Sequence, residues 1–179
     1  MQLNTDFHSH VSRSSALQMA QSAREKGIQV LGLSEHIFQL HEGRPSLQHM
    51  PLEGPLLSSE HYVSSVRQAA QDEDWDVRLG LEVDFIPAKN ALIQQILQAQ
   101  DWDFLIGSVH EVDGALFESS TISREEGEAL WLRYMEMLRA TVNSGYFSLV
   151  SHPVRMRRTN SFLPSTLDDE LEQLAAEAT

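Results

Sequence analysis

Five short apolar runs recur along this chain, and a histidine or a carboxylate stands where each run ends. The polar residues at these ends are, in order, Asp6, His8 and His10, then Glu35 and His36, then Glu82 and Asp84, then His110, and finally His152. Each run is short enough to be a buried strand. In folds that alternate strands and helices, active sites form at strand ends, because the strand holds a residue rigidly while the following loop exposes its side chain. The pattern therefore predicts an α/β protein with a functional site at one rim of its sheet.

The predicted strands cover residues 2–8, 28–34, 77–85, 104–109 and 147–150, with helical patterns between them. They are rich in Val, Leu, Ile and Phe, as strands buried on both faces should be. The clearest helical pattern spaces apolar residues from Leu130 to Val142, and a capping box of Ser123 and Glu126 precedes it. A last helix is expected after Pro164. Residues 41–57, rich in proline and glycine, are expected to form a long loop on the active-site side.

Composition limits the architecture and the partners. A chain of 179 residues with 41% apolar side chains can form one sizeable core, so residues 1–179 are expected to be a single domain. The formal net charge of -13 disfavours nucleic acid as a partner. Because the chain has no cysteine, any metal ion must be held by nitrogen and oxygen ligands. No apolar stretch approaches the roughly 20 residues of a membrane span, and the first residues do not resemble a secretion signal, which predicts a cytoplasmic protein with no membrane partner.

The strand-end residues predict a site for more than one metal ion. His8 and His10 are two residues apart, so on a strand their side chains share a face and can chelate one ion. Glu82 can bridge two ions through its two oxygens, and His110 and His152 can complete the second. Two ions held close together activate water and clamp an anionic substrate, which suits phosphoester hydrolysis. A structural role would be the simpler interpretation of any one histidine, but five at successive strand ends favour the metal site.

These motifs resemble those of the polymerase and histidinol phosphatase (PHP) family, and within it the histidinol-phosphatase branch. The resemblance runs from Thr5 to about Arg158. It rests on Asp6-x-His8-x-His10, Gly32-Leu33-Ser34-Glu35-His36, Gly80-Leu81-Glu82-Val83-Asp84-Phe85-Ile86, Leu105-Ile106-Gly107-Ser108-Val109-His110 with Asp113-Gly114 following, and Val150-Ser151-His152-Pro153. A lone pair of histidines would be a weak signal, whereas five motifs in this order and at this spacing are specific.

The resemblance implies a distorted seven-stranded (β/α) barrel that binds two to three divalent metal ions, which are zinc, manganese or iron. It implies that His8 and His10 bind the first ion, that Glu82 bridges it to a second held by His110 and His152, and that His36 binds a third. The implied reaction is the hydrolysis of L-histidinol phosphate to L-histidinol and phosphate in histidine biosynthesis. We expect Glu82 and His110 at the reacting centre of this metal-dependent phosphomonoesterase.

The chain departs from the family pattern at two places. Where the family has a further histidine after His10, residues 11–16 contain none. The family also has two more strands, the last with an Asp-x-His motif, and these have no counterpart before Thr179. We therefore expect an incomplete barrel of about five strand-helix units in a chain truncated at its C-terminus. Strands left at open barrel edges expose unpaired backbone groups, which predicts self-association.

Substrate binding rests on weaker signals. Arg155 and Arg158 follow the last strand end and can bind a phosphate group through bidentate hydrogen bonds, although a solvated basic run is an equally good interpretation. Ser108 can donate a hydrogen bond to phosphate or can simply pack. His49 and His61 are interpreted as surface histidines.

Two other functions stay open. A PHP-type nuclease or nucleotide phosphatase would use the same metal ions, although the acidic charge argues against long nucleic-acid substrates. A non-catalytic PHP module would bind metal or a partner without turnover. The missing ligands favour that module, and the five intact motifs oppose it.

Overall fold

The computed structural model describes residues 4–116 and 123–178, along which strands alternate with helices. The strands are β1 (Thr5–Ser9), β2 (Val30–His36), β3 (Val77–Asp84), β4 (Phe104–Ser108), β5 (Glu111–Val112), β6 (Ala115–Leu116) and β7 (Leu149–Val150). The helices are α1 (Ala16–Glu25), α2 (Ser59–Glu73), α3 (Asn90–Gln98), α4 (Arg124–Asn143) and α5 (Leu167–Glu177), and short 3-10 turns cover Ile37–Gln39, Arg44–Ser46, Pro87–Lys89 and Arg155–Arg158.

The described residues form two compact units. The first unit contains the described residues up to Val83 together with Lys89–Ile106. The second contains Asp84–Ala88 together with the described residues from Gly107 onward. The expectation of a single domain over residues 1–179 stays a prediction.

Each of the five predicted strands is present, with ends that differ by a few residues. The predicted start of the first strand lies outside the described residues. β2 begins two residues later than predicted, because Gly27 ends α1 with a φ of +79° and the chain is still turning at Gln29. β7 keeps only the last two predicted residues, and the ring of Phe147, the first predicted residue, packs against Phe85 at a centroid distance of 6.1 Å.

In the first unit, β1, β2, β3 and β4 are neighbours in that order. β2 runs parallel to both β1 and β3. The register of β2 and β3 is unbroken from Leu31 opposite Val77 to His36 opposite Glu82. The sheet thereby sets two predicted functional side chains opposite each other at the carboxyl ends of their strands.

Two glycines of the first unit make room for one aromatic ring. A Cβ added at Gly32 would lie 2.6 Å from the Phe104 ring, and one added at Gly80 would also collide with it. Phe7 packs edge-on against the same ring, with centroids 5.1 Å apart. Glycine is required at both positions because the ring fills the space that any side chain would need.

The second unit is built around α4. As predicted, α4 opens with a capping box, in which Ser123 Oγ accepts from the Glu126 N–H and the Glu126 carboxylate accepts from the Ser123 N–H. The core of this unit is formed mainly by buried apolar residues of α4 and α5, and Met156 packs with them. The helical residues are Trp131, Tyr134, Met135, Leu138, Leu167 and Leu174. The end of β4 pairs with β7 here, where the Ser151 N–H donates to Gly107 O at 3.0 Å.

A small hairpin in the second unit was not predicted. β5 pairs antiparallel with β6 through a two-residue turn at Asp113 and Gly114. Both turn residues have positive φ, +54° and +79°, which is the backbone of the tight hairpin turns that an Asp-Gly pair favours. The Asp-Gly signal was present in the sequence, but each strand has only two residues and falls below what an alternation pattern can detect.

The loop between β2 and α2 lies in the first unit and is tied together internally. Leu40 and Leu57 form an isolated bridge at its two ends. Gln39 is fully buried, and its amide donates to the carbonyls of Gly54 and Pro55 at 3.1 and 2.9 Å. The long loop predicted over residues 41–57 is therefore present as an ordered segment. None of the helices within residues 4–116 and 123–178 has the length and apolarity needed to cross a bilayer.

Candidate metal centre

A single carboxylate oxygen of the first unit is surrounded by three imidazoles. Glu82 is fully buried, and its Oε2 lies 2.8 Å from His36 Nδ1 and 3.1 Å from His8 Nε2. His10 Nε2 is 3.5 Å from the same oxygen. The rings of His10 and His36 are stacked, with centroids 4.1 Å apart. Four of the predicted metal ligands therefore lie together in one unit.

The strand geometry explains this convergence. His36 is opposite Glu82 because β2 and β3 are parallel and in unbroken register. The register of β1 against β2 shifts between Asp6 and Ser9, in the segment that carries His8. The Asp6 carboxylate accepts from the His8 N–H at 2.9 Å and from Ser9 Oγ at 3.1 Å, which ties this irregular segment to its own strand. The His8 side chain stays 34% exposed, so the cluster is open to solvent on that side.

The protonation of His10 suits metal binding. Burial, together with the neighbouring His36 and His8, lowers the pKa of His10 from 6.5 to about 4, although Glu82 acts against this shift. The ring is therefore neutral at physiological pH, which is the form that binds metal ions. Its Nδ1 is buried and has no hydrogen-bond partner among the described residues. The other ring nitrogen, Nε2, faces Glu82 Oε2, and imidazole nitrogens and carboxylates are donors that bind zinc, manganese and iron.

The donor set fits a divalent ion. One nitrogen each from His8 and His10 and one oxygen of Glu82 all lie within 4.8 Å of one another. Imidazole nitrogen and carboxylate oxygen without thiolate form the usual ligand set of catalytic zinc, manganese and iron centres. A buried carboxylate facing several imidazoles is costly to maintain without a cation, so the arrangement favours one at this position.

Glu35 organises the backbone beside this cluster. It is fully buried, and its Oε2 accepts from the backbone N–H groups of Val11 and Ser12 at 2.9 and 2.8 Å. Its Oε1 accepts from the His36 N–H at 2.9 Å. Burial raises the pKa of the Glu35 carboxyl, and these three backbone bonds act against that rise.

In the second unit, Asp84 fixes the orientation of His110. Both residues are buried, and Asp84 Oδ1 lies 2.8 Å from His110 Nδ1. The same oxygen accepts from the His110 N–H at 2.9 Å. A carboxylate bonded to one ring nitrogen selects the tautomer and orients the other nitrogen, as is usual for metal-binding histidines. Sequence reasoning gave Asp84 no role, although its position two residues after Glu82 on a strand is a signal that was available.

His152 is also placed in the second unit, beside His110. The two ring centroids are 5.0 Å apart. His152 has a φ of +30°, an unusual value for a residue other than glycine. Tyr134, buried on α4, donates from its hydroxyl to His152 O at 3.0 Å, and Ser151 Oγ lies 3.0 Å from His152 Nε2. A strained backbone held by such contacts is typical of functional positions.

The residues predicted to bind substrate are all in the second unit. Ser108 is fully buried and hydrogen-bonds to Ser151 Oγ. Arg155 begins a 3-10 turn, is half-buried, and donates its N–H to His152 O at 2.9 Å, whereas Arg158 is exposed at the end of that turn. Their roles toward phosphate stay predictions. His49 and His61, both interpreted as bystanders, are exposed.

Comparisons with known proteins agree with the motifs. The model of the PHP domain family matches residues 1–179. A probable histidinol-phosphatase of Deinococcus radiodurans is 32% identical over 128 residues, which cover 68% of this chain and 49% of that protein. The chain thus spans about half the length of this curated relative.

A solved structure shows the same fold. It is the histidinol phosphate phosphatase of Lactococcus lactis subsp. lactis, complexed with zinc, L-histidinol and phosphate. Its TM-score against this chain is 0.73 at 18% identity, over 99% of this chain and 68% of that one. The five parallel strands match an incomplete PHP-type (β/α) barrel, which confirms the predicted fold class. Because the family model matches its whole length, and because its motifs and fold agree with that match, the chain belongs to the PHP domain family.

Proposed function

We propose that this chain carries the metal site of a metal-dependent phosphomonoesterase that hydrolyses L-histidinol phosphate to L-histidinol and phosphate, a step of histidine biosynthesis. The observation that carries the proposal is the convergence of His8, His10 and His36 on Glu82 Oε2, at 2.8 to 3.5 Å. The substrate is supported by the names of the Deinococcus relative and of the Lactococcus structure, which contains L-histidinol and phosphate.

The metal ligands are proposed in two groups. His8, His10, His36 and Glu82 would hold metal in the first unit, and His110 and His152 would hold metal in the second. Zinc is the first choice, because the Lactococcus structure contains it, and manganese or iron would fit the same donors. Divalent ions bound there would activate water and polarise the phosphoryl oxygens. That Glu82 bridges two ions, and that His36 belongs to a third, stay predictions.

The protein's own groups would position the ligands and the substrate. Glu82 supplies negative charge at a fully buried point, and Asp84 holds the His110 ring in one orientation. The turn Arg155–Arg158 would bind the phosphate through guanidinium groups, whose paired N–H donors match phosphate oxygens. Ser108 would add a hydroxyl donor. Glu82 and His110 are the residues that we propose at the reacting centre.

The proposed substrate is a small phosphomonoester and not a nucleic acid. The net charge of -13 repels long polyanions, while a compact site with metal ions and arginines still attracts a single phosphate group. A nuclease, a nucleotide phosphatase and a non-catalytic metal-binding module are the other outcomes of the test. Self-association through the sheet edges and a cytoplasmic location stay predictions.

Phosphate release tests the proposal directly. The purified chain, loaded in turn with zinc, manganese and iron, is offered histidinol phosphate, a mononucleotide, an aryl phosphate and single-stranded DNA. We expect the highest kcat/KM for histidinol phosphate, and loss of activity after chelation. Preference for the mononucleotide or cleavage of DNA would replace the proposal with one of the alternatives. Bound metal without any turnover would favour the non-catalytic module.

A further inference from the structure

A second fully buried carboxylate lies beside the imidazole cluster, and no motif assigns it a function. We propose that Glu35 is a positioning residue of the metal site, which holds His10 and His36 in the orientation that binds a divalent ion. This inference rests on the metal site of the proposed function. It adds a residue of the Gly32–His36 motif that was not among the predicted metal ligands.

The backbone bonds of Glu35 reach both histidine segments. Its Oε2 accepts from the N–H groups of Val11 and Ser12, the two residues directly after His10. Its Oε1 accepts from the N–H of His36 itself. One rigid carboxylate therefore fixes the chain after β1 against the end of β2. Three backbone N–H groups donate to this one buried carboxyl group, which holds the two segments together.

The His10 ring lies between two carboxylates. On one side Nε2 is 3.5 Å from Glu82 Oε2, and on the other Nδ1 is 3.7 Å from Glu35 Oε1. A carboxylate on the Nδ1 side favours the tautomer with its proton on Nδ1, which leaves the lone pair of Nε2 for the ion. At 3.7 Å the contact is too long for a hydrogen bond, and a small movement of the ring would form one.

A variant of Tyr62 can distinguish a positioning role of Glu35 from a purely structural one. Its buried hydroxyl accepts from the Glu35 N–H at 3.1 Å and lies 2.8 and 2.9 Å from the carbonyls of Leu33 and Gly80. Tyr62→Phe would thus loosen β2 and β3 in the same buried region without touching His10. It is the matched control for Glu35→Gln, a substitution of nearly equal volume that removes the charge and places an amide donor against backbone donors.

The test measures zinc binding by competition with a chromogenic chelator, using zinc alone as the probe. We expect Glu35→Gln to bind zinc about 10- to 100-fold more weakly than the wild type, the loss typical of partners that orient a ligand. Tyr62→Phe is expected to bind zinc as the wild type does, even where its melting temperature falls. Equal zinc affinity of Glu35→Gln and wild type would overturn the inference alone, whereas a wild type that binds no zinc would overturn the proposed function with it.

A second measurement does not depend on whether the variant folds. Long-range ¹H–¹⁵N spectra of zinc-loaded wild type report which nitrogen of His10 carries the proton. We expect the proton on Nδ1. A proton on Nε2 would show that Glu35 does not orient this ring and would refute the inference, as would an equal loss of zinc affinity in Tyr62→Phe.

Discussion

His36 lies directly opposite Glu82 in the parallel register of β2 and β3, and its Nδ1 is 2.8 Å from Glu82 Oε2. The contact follows from the sheet and does not depend on a loop. Two metal ligands on paired strands are positioned more precisely than two ligands on loops.

Glu82→Gln is expected to remove most bound metal, because the neutral amide takes away the charge on which three imidazoles converge. We expect zinc affinity to fall by at least about 100-fold, the upper end of the loss seen for partners outside the ligand shell. Metal content of the purified protein, measured by mass spectrometry, checks this. His61→Ala, which changes an exposed side chain on α2, is the control and should keep its metal. Full metal content in Glu82→Gln would remove Glu82 from the ligand set.

Asp84→Asn is expected to lower phosphatase kcat/KM by about 10- to 100-fold, because His110 would lose the carboxylate that orients its ring. Zinc held in the first unit should remain. The matched control is Asp113→Asn, the same substitution at an exposed position of the second unit, where the carboxylate pairs with Arg133 on the surface. Unchanged kinetics for Asp84→Asn would show that the orientation of His110 does not limit the reaction.

Asp103 is expected to contribute stability that acid removes. Burial acts to raise the pKa of its carboxyl, but hydrogen bonds from Arg67 and from the Leu79 N–H outweigh this and hold the pKa below its usual range. A lowered pKa in the folded state stabilises the protein above the unfolded pKa of about 3.9 and loses that effect as pH falls through the folded value.

The variant that tests this is Asp103→Asn, studied by urea unfolding across the acid range. We expect it to be less stable than wild type by about 0.5 kcal/mol near pH 7, because solvent screens this exposed ion pair and the amide keeps part of the hydrogen bonding. The difference should shrink as pH falls below about 4. Asp101→Asn, at an exposed neighbouring position, should show no such convergence. A difference that is constant with pH would contradict the assignment.

Gly80→Ala is expected to destabilise the first unit, since the new Cβ would collide with three atoms of the Phe104 ring. Overpacking of this kind costs about 1–3 kcal/mol. Urea unfolding measures it, and the double variant with Phe104→Leu should recover part of the loss because the ring is gone. If Gly80→Ala is as stable as wild type, the ring is free to move and the packing argument fails.

The sequence was sufficient to predict the strands that are buried on both faces and the capped helix α4. It also predicted that His8, His10 and Glu82 would lie together, because strand ends of one sheet meet at one edge. The contact of His36 with the same oxygen depends on register, which spacing along the chain does not determine. The resemblance assigns His36 to a third ion, and which ion it binds stays a prediction.

The partners that orient the ligands were harder to predict. Asp84 acts on a residue 26 positions later in the chain, and Glu35 acts on one 24 positions earlier. Such pairs carry no periodicity, since they arise from tertiary packing, and the one local signal is that Glu35 directly precedes His36 in its motif. The positive φ of His152, +30°, was equally invisible, because no residue type in its motif calls for it.

The single ring of Phe104, enclosed by Gly32 and Gly80, also constrains how this sequence can evolve. Neither glycine can be exchanged alone for a larger residue, and a smaller residue at position 104 would leave a void that larger residues at 32 or 80 could fill. Residues on three different strands should therefore vary together among homologues, although two of them have no side chain. The glycines in the motifs that carry Glu35 and Glu82 would then be explained by the aromatic residue on β4, and not by a need for flexibility.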